Sequence, residues 1–103
     1  MRKVLIVDDE YIGREMLRES VCWEDYGFTV VGEACNGIEA LKKVRELKPD
    51  VLFTDIRMPG IDGLELILQL KKNHETVKCV AISSYEDFSY VRSAFREGVV
   101  DYL

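Results

Sequence analysis

The stretch from Val4 to Glu10, VLIVDDE, joins four apolar residues directly to three acids. A continuous apolar run of this length is typical of a parallel strand covered on both faces, and the acids mark where the strand reaches solvent. Similar runs, each followed by polar residues, occur in VLFTD (51–55) and CVAISS (79–84). These segments predict three central strands, over residues 4–7, 51–53 and 79–82.

Two further strands are predicted over residues 28–31 and 99–103. Between the strands, the apolar residues change to helical spacing. The four expected apolar stripes are Ile12, Met16 and Ser20 beside Leu17 and Val21; Ile38, Leu41, Val44 and Leu47; Leu64, Ile67 and Leu68; and Phe88, Val91, Ala94 and Phe95. Helix starts are predicted at Asn36, with Glu39 three residues on, and at Ser84, with Asp87; Pro49 and Gly98 are predicted stops.

Strands that alternate with helices through short connections predict right-handed crossovers and a doubly wound α/β fold with a five-stranded parallel sheet. The length of 103 residues suits one domain, over residues 1–103. Leu103 stops the chain in or just after the fifth predicted strand. We therefore expect a truncated chain that lacks the helix due next in the alternation.

Composition excludes several classes of function. The net charge of -5 repels nucleic-acid phosphates and anionic lipids, so we expect no binding to either. The first apolar run is too short for a signal peptide or a membrane span. Cys22, Cys35 and Cys79 fit neither a zinc site nor a disulfide framework, so we expect a soluble protein in a reducing cytoplasm. They are predicted, with Trp23 and His74, to be surface or packing residues.

Polar residues follow three of the predicted strands. Asp8 and Asp9 follow the first strand, Asp55 the third and Ser83 the fourth, and ligands of open parallel sheets bind beyond these carboxyl ends. Carboxylates that converge in a partly desolvated cleft repel one another, so we expect a divalent cation to join them. Mg²⁺ suits an open acidic rim better than Ca²⁺, which takes more protein oxygens. The Arg57 backbone carbonyl is predicted to complete the shell.

With a cation bound, Asp55 can attack phosphorus as a carboxylate nucleophile and form an aspartyl phosphate. The Ser83 hydroxyl can then donate a hydrogen bond to a phosphoryl oxygen. Taken singly, each aspartate is equally compatible with a turn or a helix cap, which is the role predicted for Asp62. The functional interpretation depends on their convergence.

The chain resembles the receiver domain of bacterial two-component response regulators. The matching segments, in the family's order and approximate spacing, are Val4–Glu10, Asp55–Gly63, Ile82–Ser84 and Glu97–Leu103. The resemblance implies a flavodoxin-like sheet of order 2-1-3-4-5 and phosphorylation of Asp55 by a sensor histidine kinase. It also implies Mg²⁺ at Asp8, Asp9, Asp55 and the Arg57 carbonyl.

The resemblance also implies a switch. Ser83 corresponds to the family's switch hydroxyl and Tyr102 to its switch aromatic, whereas Ser84 stands beside the phosphate where the family has a small residue. The chain departs from the family after Leu103, because it contains neither the Lys-Pro pair nor the final helix. This departure puts signal output in doubt more than metal binding.

Two segments, residues 23–28 and 85–90, resemble receivers joined to AraC-type DNA-binding domains, which suggests a transcription regulator as the parent protein. Such a chain would be no turnover enzyme, apart from catalysing its own phosphoryl transfer and slow dephosphorylation. Three alternatives remain: a metal-dependent phosphatase, a flavin-binding module, and a non-phosphorylated module that dimerises through the same fold. The phosphatase would need a general acid and a substrate pocket. The acids after the first strand would repel a flavin phosphate.

Overall fold

The computed structural model describes residues 1–73 and 75–82. Its strands are β1 (Arg2–Val7), β2 (Phe28–Ala34), β3 (Val51–Asp55) and β4 (Lys78–Ile82). Its α-helices are α1 (Tyr11–Ser20), α2 (Gly37–Leu47) and α3 (Gly63–Lys72), and a short 3-10 helix, Trp23–Tyr26, lies between α1 and β2. The strands pair in parallel in the order β2-β1-β3-β4. This order confirms the predicted doubly wound fold for the four described strands.

Three predicted features lie outside the described residues. They are the fifth strand over residues 99–103, the helix with its stripe from Phe88 to Phe95, and the helix start at Ser84 with Asp87. The Gly98 stop belongs to the same segment. These features stay predictions.

Strand β1 lies at the centre of the core because both of its faces are covered. Successive side chains of a strand point to opposite faces, so Val4 and Ile6 pack with α1, whereas Leu5 and Val7 pack with α2 and α3. All four of these side chains are buried. The continuous apolar run therefore reflects a strand between two layers, as the sequence predicts.

Trp23 belongs to the core on the α1 face. Its ring makes an edge contact with Phe53 at a centroid distance of 5.3 Å, and its indole Nε1 donates to the Arg18 carbonyl oxygen at 3.0 Å. Both features are common for a buried tryptophan. Of the two roles predicted for Trp23, surface or packing, the structure shows packing. His74 lies outside the described residues.

The predicted helix caps at Asn36 and Asp62 are both present. The Asn36 side chain accepts from the Glu39 backbone N–H at 2.8 Å, and the Asp62 side chain accepts from the Glu65 N–H at 2.9 Å. Each satisfies one of the amide groups that a helix leaves free at its start. These caps fix where α2 and α3 begin, directly beyond the ends of β2 and of the loop after β3.

The stripe predicted for α3 is wrong at two of its three residues, since only Ile67 is partly buried. Leu64 and Leu68 are 54% and 66% exposed, whereas Leu66 and Leu70 are buried. Both pairs have the spacing of one helical face, so periodicity alone cannot choose between them. The choice follows from tertiary packing on the sheet, which turns Leu66 and Leu70 inward.

The predicted stripes of α1 and α2 are right in part. Ile12 and Ile38, at the first turns of the two helices, are exposed, whereas Leu17 and Val44 are buried as expected. Ala40 is also buried, although it was not expected there, because a small side chain lets α2 lie close against the sheet. None of the helices within the described ranges has the length and apolar character needed to cross a bilayer.

Candidate functional site

Strands β1 and β3 are adjacent in the sheet, and three aspartates lie at their carboxyl ends. We call this cluster of Asp8, Asp9 and Asp55 the acidic rim. Val7, the last residue of β1, pairs with Thr54, so Asp8 and Asp9 emerge beside Asp55, which ends β3. One carboxylate oxygen from each aspartate lies within 4.8 Å of the other two. The structure therefore brings together the three carboxylates that the sequence singled out.

The carboxylates influence one another's ionisation. The pKa of Asp8 is raised to about 6, chiefly by burial and further by the negative charge of Asp55 and the adjacent Asp9 side chain, while a hydrogen bond from the Glu10 backbone N–H opposes the rise. That amide donates to the Asp8 Oδ1 at 2.9 Å. The shift therefore combines partial burial with repulsion from the two neighbouring acids.

The backbone directly after Asp55 is held by hydrogen bonds at both polar groups of Ile56. The Ile56 N–H donates to the Ile82 carbonyl across β3 and β4 at 3.1 Å, and the Gly63 N–H donates to the Ile56 carbonyl at 2.9 Å. A Cβ atom on Gly63 would overlap the Asp55 carbonyl oxygen, so only glycine allows this close approach of α3. The strand end is therefore fixed by backbone contacts that leave the Asp55 carboxylate on the rim.

The loop after β3 contributes little to holding the Asp55 side chain. The Arg57 backbone N–H lies 3.4 Å from the Asp55 Oδ1, a long hydrogen bond, and the Arg57 side chain is exposed. The role of the Arg57 carbonyl as a metal ligand stays a prediction.

The donor set fits a hard divalent cation. Three carboxylate oxygens within 4.8 Å of one another can converge on one ion, and oxygen ligands with room for water suit Mg²⁺. A cation would also relieve the repulsion that raises the Asp8 pKa. The geometry is thus consistent with the predicted site at Asp8, Asp9 and Asp55.

Two residues beside the site were missed by sequence reasoning. A Cβ atom on Gly13 would overlap the Asp8 carboxylate, and the Arg14 Nη1 donates to the Asp8 carbonyl oxygen at 2.8 Å. A glycine within the first turn of a helix is an available signal, because it weakens a helix unless close packing requires it. The partner of Arg14 could not be read from spacing.

Three predicted site residues, Ser83, Ser84 and Tyr102, lie outside the described residues. The described part of β4 ends at Ile82, which pairs with Asp55. The hydroxyl and aromatic parts of the predicted switch therefore stay predictions.

Residues 4–103 match the response regulator receiver domain family. The chain belongs to this family. Its acidic rim at the ends of β1 and β3 is the place where receiver domains characteristically bind Mg²⁺. Receiver domains are signalling proteins that partner with histidine kinases and output domains.

Two relatives illustrate the match of this receiver domain. It is 44% identical over 103 residues to an uncharacterized response regulatory protein of Staphylococcus epidermidis, and 39% identical over 103 residues to the transcriptional regulatory protein HptR of Staphylococcus aureus. Each match covers 100% of this chain and 40% of the relative. The receiver domain thus spans well under half the length of these relatives.

Solved structures of similar fold include a response regulator and a two-component transcriptional regulator. The receiver domain of AraT, a response regulator from Geobacillus stearothermophilus, is 42% identical with a TM-score of 0.74, over 92% of this chain and 74% of that one. The two-component transcriptional regulator AraC from Clostridium phytofermentans is 34% identical with a TM-score of 0.74, over 91% and 73%.

Proposed function

We propose that Asp55 is the phosphoacceptor of a two-component signalling switch, with Mg²⁺ held by Asp8, Asp9, Asp55 and the Arg57 carbonyl. The observation that carries this proposal is the convergence of three carboxylates at the ends of β1 and β3. When bound, Mg²⁺ supplies charge that offsets the repulsion between the Asp55 carboxylate and an incoming phosphoryl group.

In the proposed reaction, a carboxylate oxygen of Asp55 bonds to phosphorus as the bond from phosphorus to a kinase imidazole nitrogen breaks. The phosphoryl group passes to Asp55, and the electron pair of the broken bond stays on the histidine, which leaves as neutral imidazole because its other ring nitrogen is protonated in the phosphorylated donor. Backbone contacts hold the strand end in place, so the nucleophile is positioned before the donor arrives. The new group adds negative charge at the rim.

The added charge is the input of the switch. Ser83 would donate to a phosphoryl oxygen, with Ser84 beside the phosphate, and Tyr102 would turn inward as Ser83 moves. Phosphorylation shifts such an equilibrium only by stabilising one conformation more than the other. The changed surface would be read by an output domain of the parent chain or by a second receiver in a dimer.

The parent protein is proposed to be a transcription regulator with an AraC-type DNA-binding domain. Support comes from the similar structure of the two-component transcriptional regulator AraC from Clostridium phytofermentans. DNA contact is assigned to the output domain, because this segment carries a net charge of -5. We also propose a cytoplasmic location, a reducing compartment in which Cys22, Cys35 and Cys79 would remain free thiols.

Asp55→Asn tests the proposal. The 103-residue chain is incubated with acetyl phosphate and Mg²⁺, and its intact mass is followed by mass spectrometry. We expect the unchanged chain to gain one phosphoryl group, sensitive to hydroxylamine and absent in EDTA, and the variant to gain none. Labelling of Asp55→Asn at the original rate would remove Asp55 from its role.

Asp62→Asn is the matched control. Asp62 lies nearby, in the loop that follows Asp55. Asparagine caps a helix as well as aspartate does. This variant should label like the unchanged chain. If the chain without substitutions gains no phosphoryl group, the result would favour the non-phosphorylated dimerisation module. Steady release of phosphate over many turnovers would favour the phosphatase.

A further inference from the structure

Arg14 connects Glu33, on the edge strand β2, to Asp8, the first of the three clustered aspartates. Its Nε donates to the Glu33 Oε1 on β2 at 3.1 Å, and its Nη1 donates to the Asp8 carbonyl oxygen at 2.8 Å. The side chain is only 17% exposed. Both contacts are made by one planar guanidinium group. By holding the Nε, Glu33 therefore also fixes the position of the Nη1 that donates to the Asp8 carbonyl.

Asp8 is held at both of its backbone polar groups. Its N–H donates to the Ala34 carbonyl of β2 at 3.0 Å, and its C=O accepts from Arg14. These bonds set the orientation of the peptide planes on either side of the Asp8 Cα atom, and with them the direction in which its carboxylate leaves the chain. The hydrogen bond from Arg14 therefore helps to orient the Asp8 carboxylate, a proposed metal ligand.

Glu33 anchors the guanidinium group of Arg14. Its second carboxylate oxygen pairs with Arg18, one helical turn further along α1, and Lys43 donates to its backbone carbonyl. Glu33 also offsets the charge of Arg14. An unpaired guanidinium group beside the rim would repel a bound cation, whereas a paired one repels it much less.

Gly13 provides the close approach that this contact requires. A Cβ atom at this position would overlap the Asp8 carboxylate. The first turn of α1 thus meets Asp8 on two sides, with Gly13 against the carboxylate and Arg14 on the carbonyl. Two consecutive residues of α1, Gly13 and Arg14, thus bring the helix close to Asp8.

We propose that Arg14, anchored by Glu33, is a positioning residue that holds Asp8 in the geometry for Mg²⁺ binding. This role rests on the proposed function only in that Mg²⁺ binds at Asp8. Groups that orient metal ligands commonly change metal affinity by about 10- to 100-fold when they are lost. Arg14 contacts the backbone of Asp8 and not its carboxylate, so we expect a smaller effect, about 3- to 10-fold.

Arg14→Ala and Arg18→Ala form a matched pair for the test. Each removes one of the two arginines that pair with Glu33, but only Arg14 contacts Asp8. MgCl₂ is titrated into the ¹⁵N-labelled 103-residue chain, and Kd is taken from the amide shifts of Asp8, Asp9 and Asp55. Arg14→Ala should raise Kd about 3- to 10-fold, whereas Arg18→Ala should raise it less than about twofold.

Thermal unfolding in EDTA shows whether both variants fold. If Arg14→Ala does not fold, Glu33→Met replaces it, because this change removes both acceptor oxygens but keeps about the same side-chain length; Kd should again rise. Equal Kd values for Arg14→Ala and the unchanged chain, or equal increases in the two arginine variants, would overturn the positioning role alone. An unchanged chain that binds no Mg²⁺ would overturn both this role and the proposed function.

Discussion

Asp50 precedes β3 and Asp55 ends it, so one short strand carries an aspartate at each end of the sheet. The Asp50 Oδ2 accepts from the Lys3 N–H at 2.6 Å, and its own N–H donates to the Lys3 carbonyl at 2.8 Å. Its carbonyl accepts from the Lys78 N–H at 3.0 Å. Asp50 thus joins β1, β3 and β4 at the amino end, whereas the Asp55 carboxylate has a long bond to the Arg57 N–H and two carboxylate neighbours.

The surroundings of the two ends differ in charge as well. The amino end has a cleft of about 500 Å³ whose lining includes Arg2, Arg45, Lys48 and Lys78 around Asp50. The carboxyl end gathers Asp8, Asp9 and Asp55. The same residue type is structural where donors and cations compensate it, and available for chemistry where further acids surround it.

The largest effect is expected at the carboxyl end, from Gly63→Ala. The added methyl group would overlap the Asp55 carbonyl oxygen, so α3 must shift. We expect the free energy of unfolding to fall by about 2–4 kcal/mol, as for other overpacked sites. Urea unfolding measures it. A change below about 0.5 kcal/mol would show that the strand end is not held by this contact.

Asp50→Ala should have the next largest effect. Removing the carboxylate leaves the Lys3 N–H without its acceptor, and we expect a loss of about 1–3 kcal/mol. Asp50→Asn is the control, because its side-chain oxygen can still accept, and it should lose less. Equal stability of Asp50→Ala and the unchanged chain in urea would contradict the structural role of this end.

Asp8→Asn, unlike the two changes above, should increase the free energy of unfolding when it is measured in EDTA. The pKa of Asp8 is raised to about 6 in the folded chain, above the ordinary value of 3.8, so folding favours the protonated form. The stability of the unchanged chain should therefore fall as pH rises from about 4 through about 6. Asparagine removes that dependence, and we expect a gain of roughly 0.5 kcal/mol at pH 7.5, kept small by solvent screening.

Urea unfolding at pH 4 and pH 7.5 checks this sign, with Asp62→Asn as the control that keeps its cap. The difference between Asp8→Asn and the unchanged chain should vanish at pH 4, where Asp8 is mostly protonated in the folded chain. If Asp8→Asn instead destabilises the metal-free chain at pH 7.5, the raised pKa of Asp8 in the folded chain is wrong.

The smallest difference concerns thiol reactivity. Cys35 follows the carboxyl end of β2 and is exposed, whereas Cys79, near the amino end of β4, is half-buried and burial raises the pKa of its thiol. Thiolates are the reactive form. Iodoacetamide at pH 8 should label Cys35 roughly tenfold faster than Cys79, as measured by peptide mass spectrometry. Equal rates would contradict the burial of Cys79.

The prediction over residues 28–31 covered only the first part of β2, which continues to Ala34. Continuous apolar runs predicted β1, β3 and β4, because strands covered on both faces take apolar residues throughout. They also placed Asp8, Asp9 and Asp55 at strand ends. Helix orientation was harder, since α3 carries Leu64 and Leu68 on one side and Leu66 and Leu70 on the other. Two competing faces of equal hydrophobicity cannot be separated by periodicity.

By itself, then, the sequence determined the strand positions, the caps at Asn36 and Asp62, and the three acids, since each depends on residues close together in the chain. Only the tertiary structure decided which face of α3 is buried, that Asp50 joins three strands, and that Arg14 connects Glu33 to Asp8. These contacts join residues from different elements. Their partners are set by how helices pack on the sheet, which local spacing does not encode.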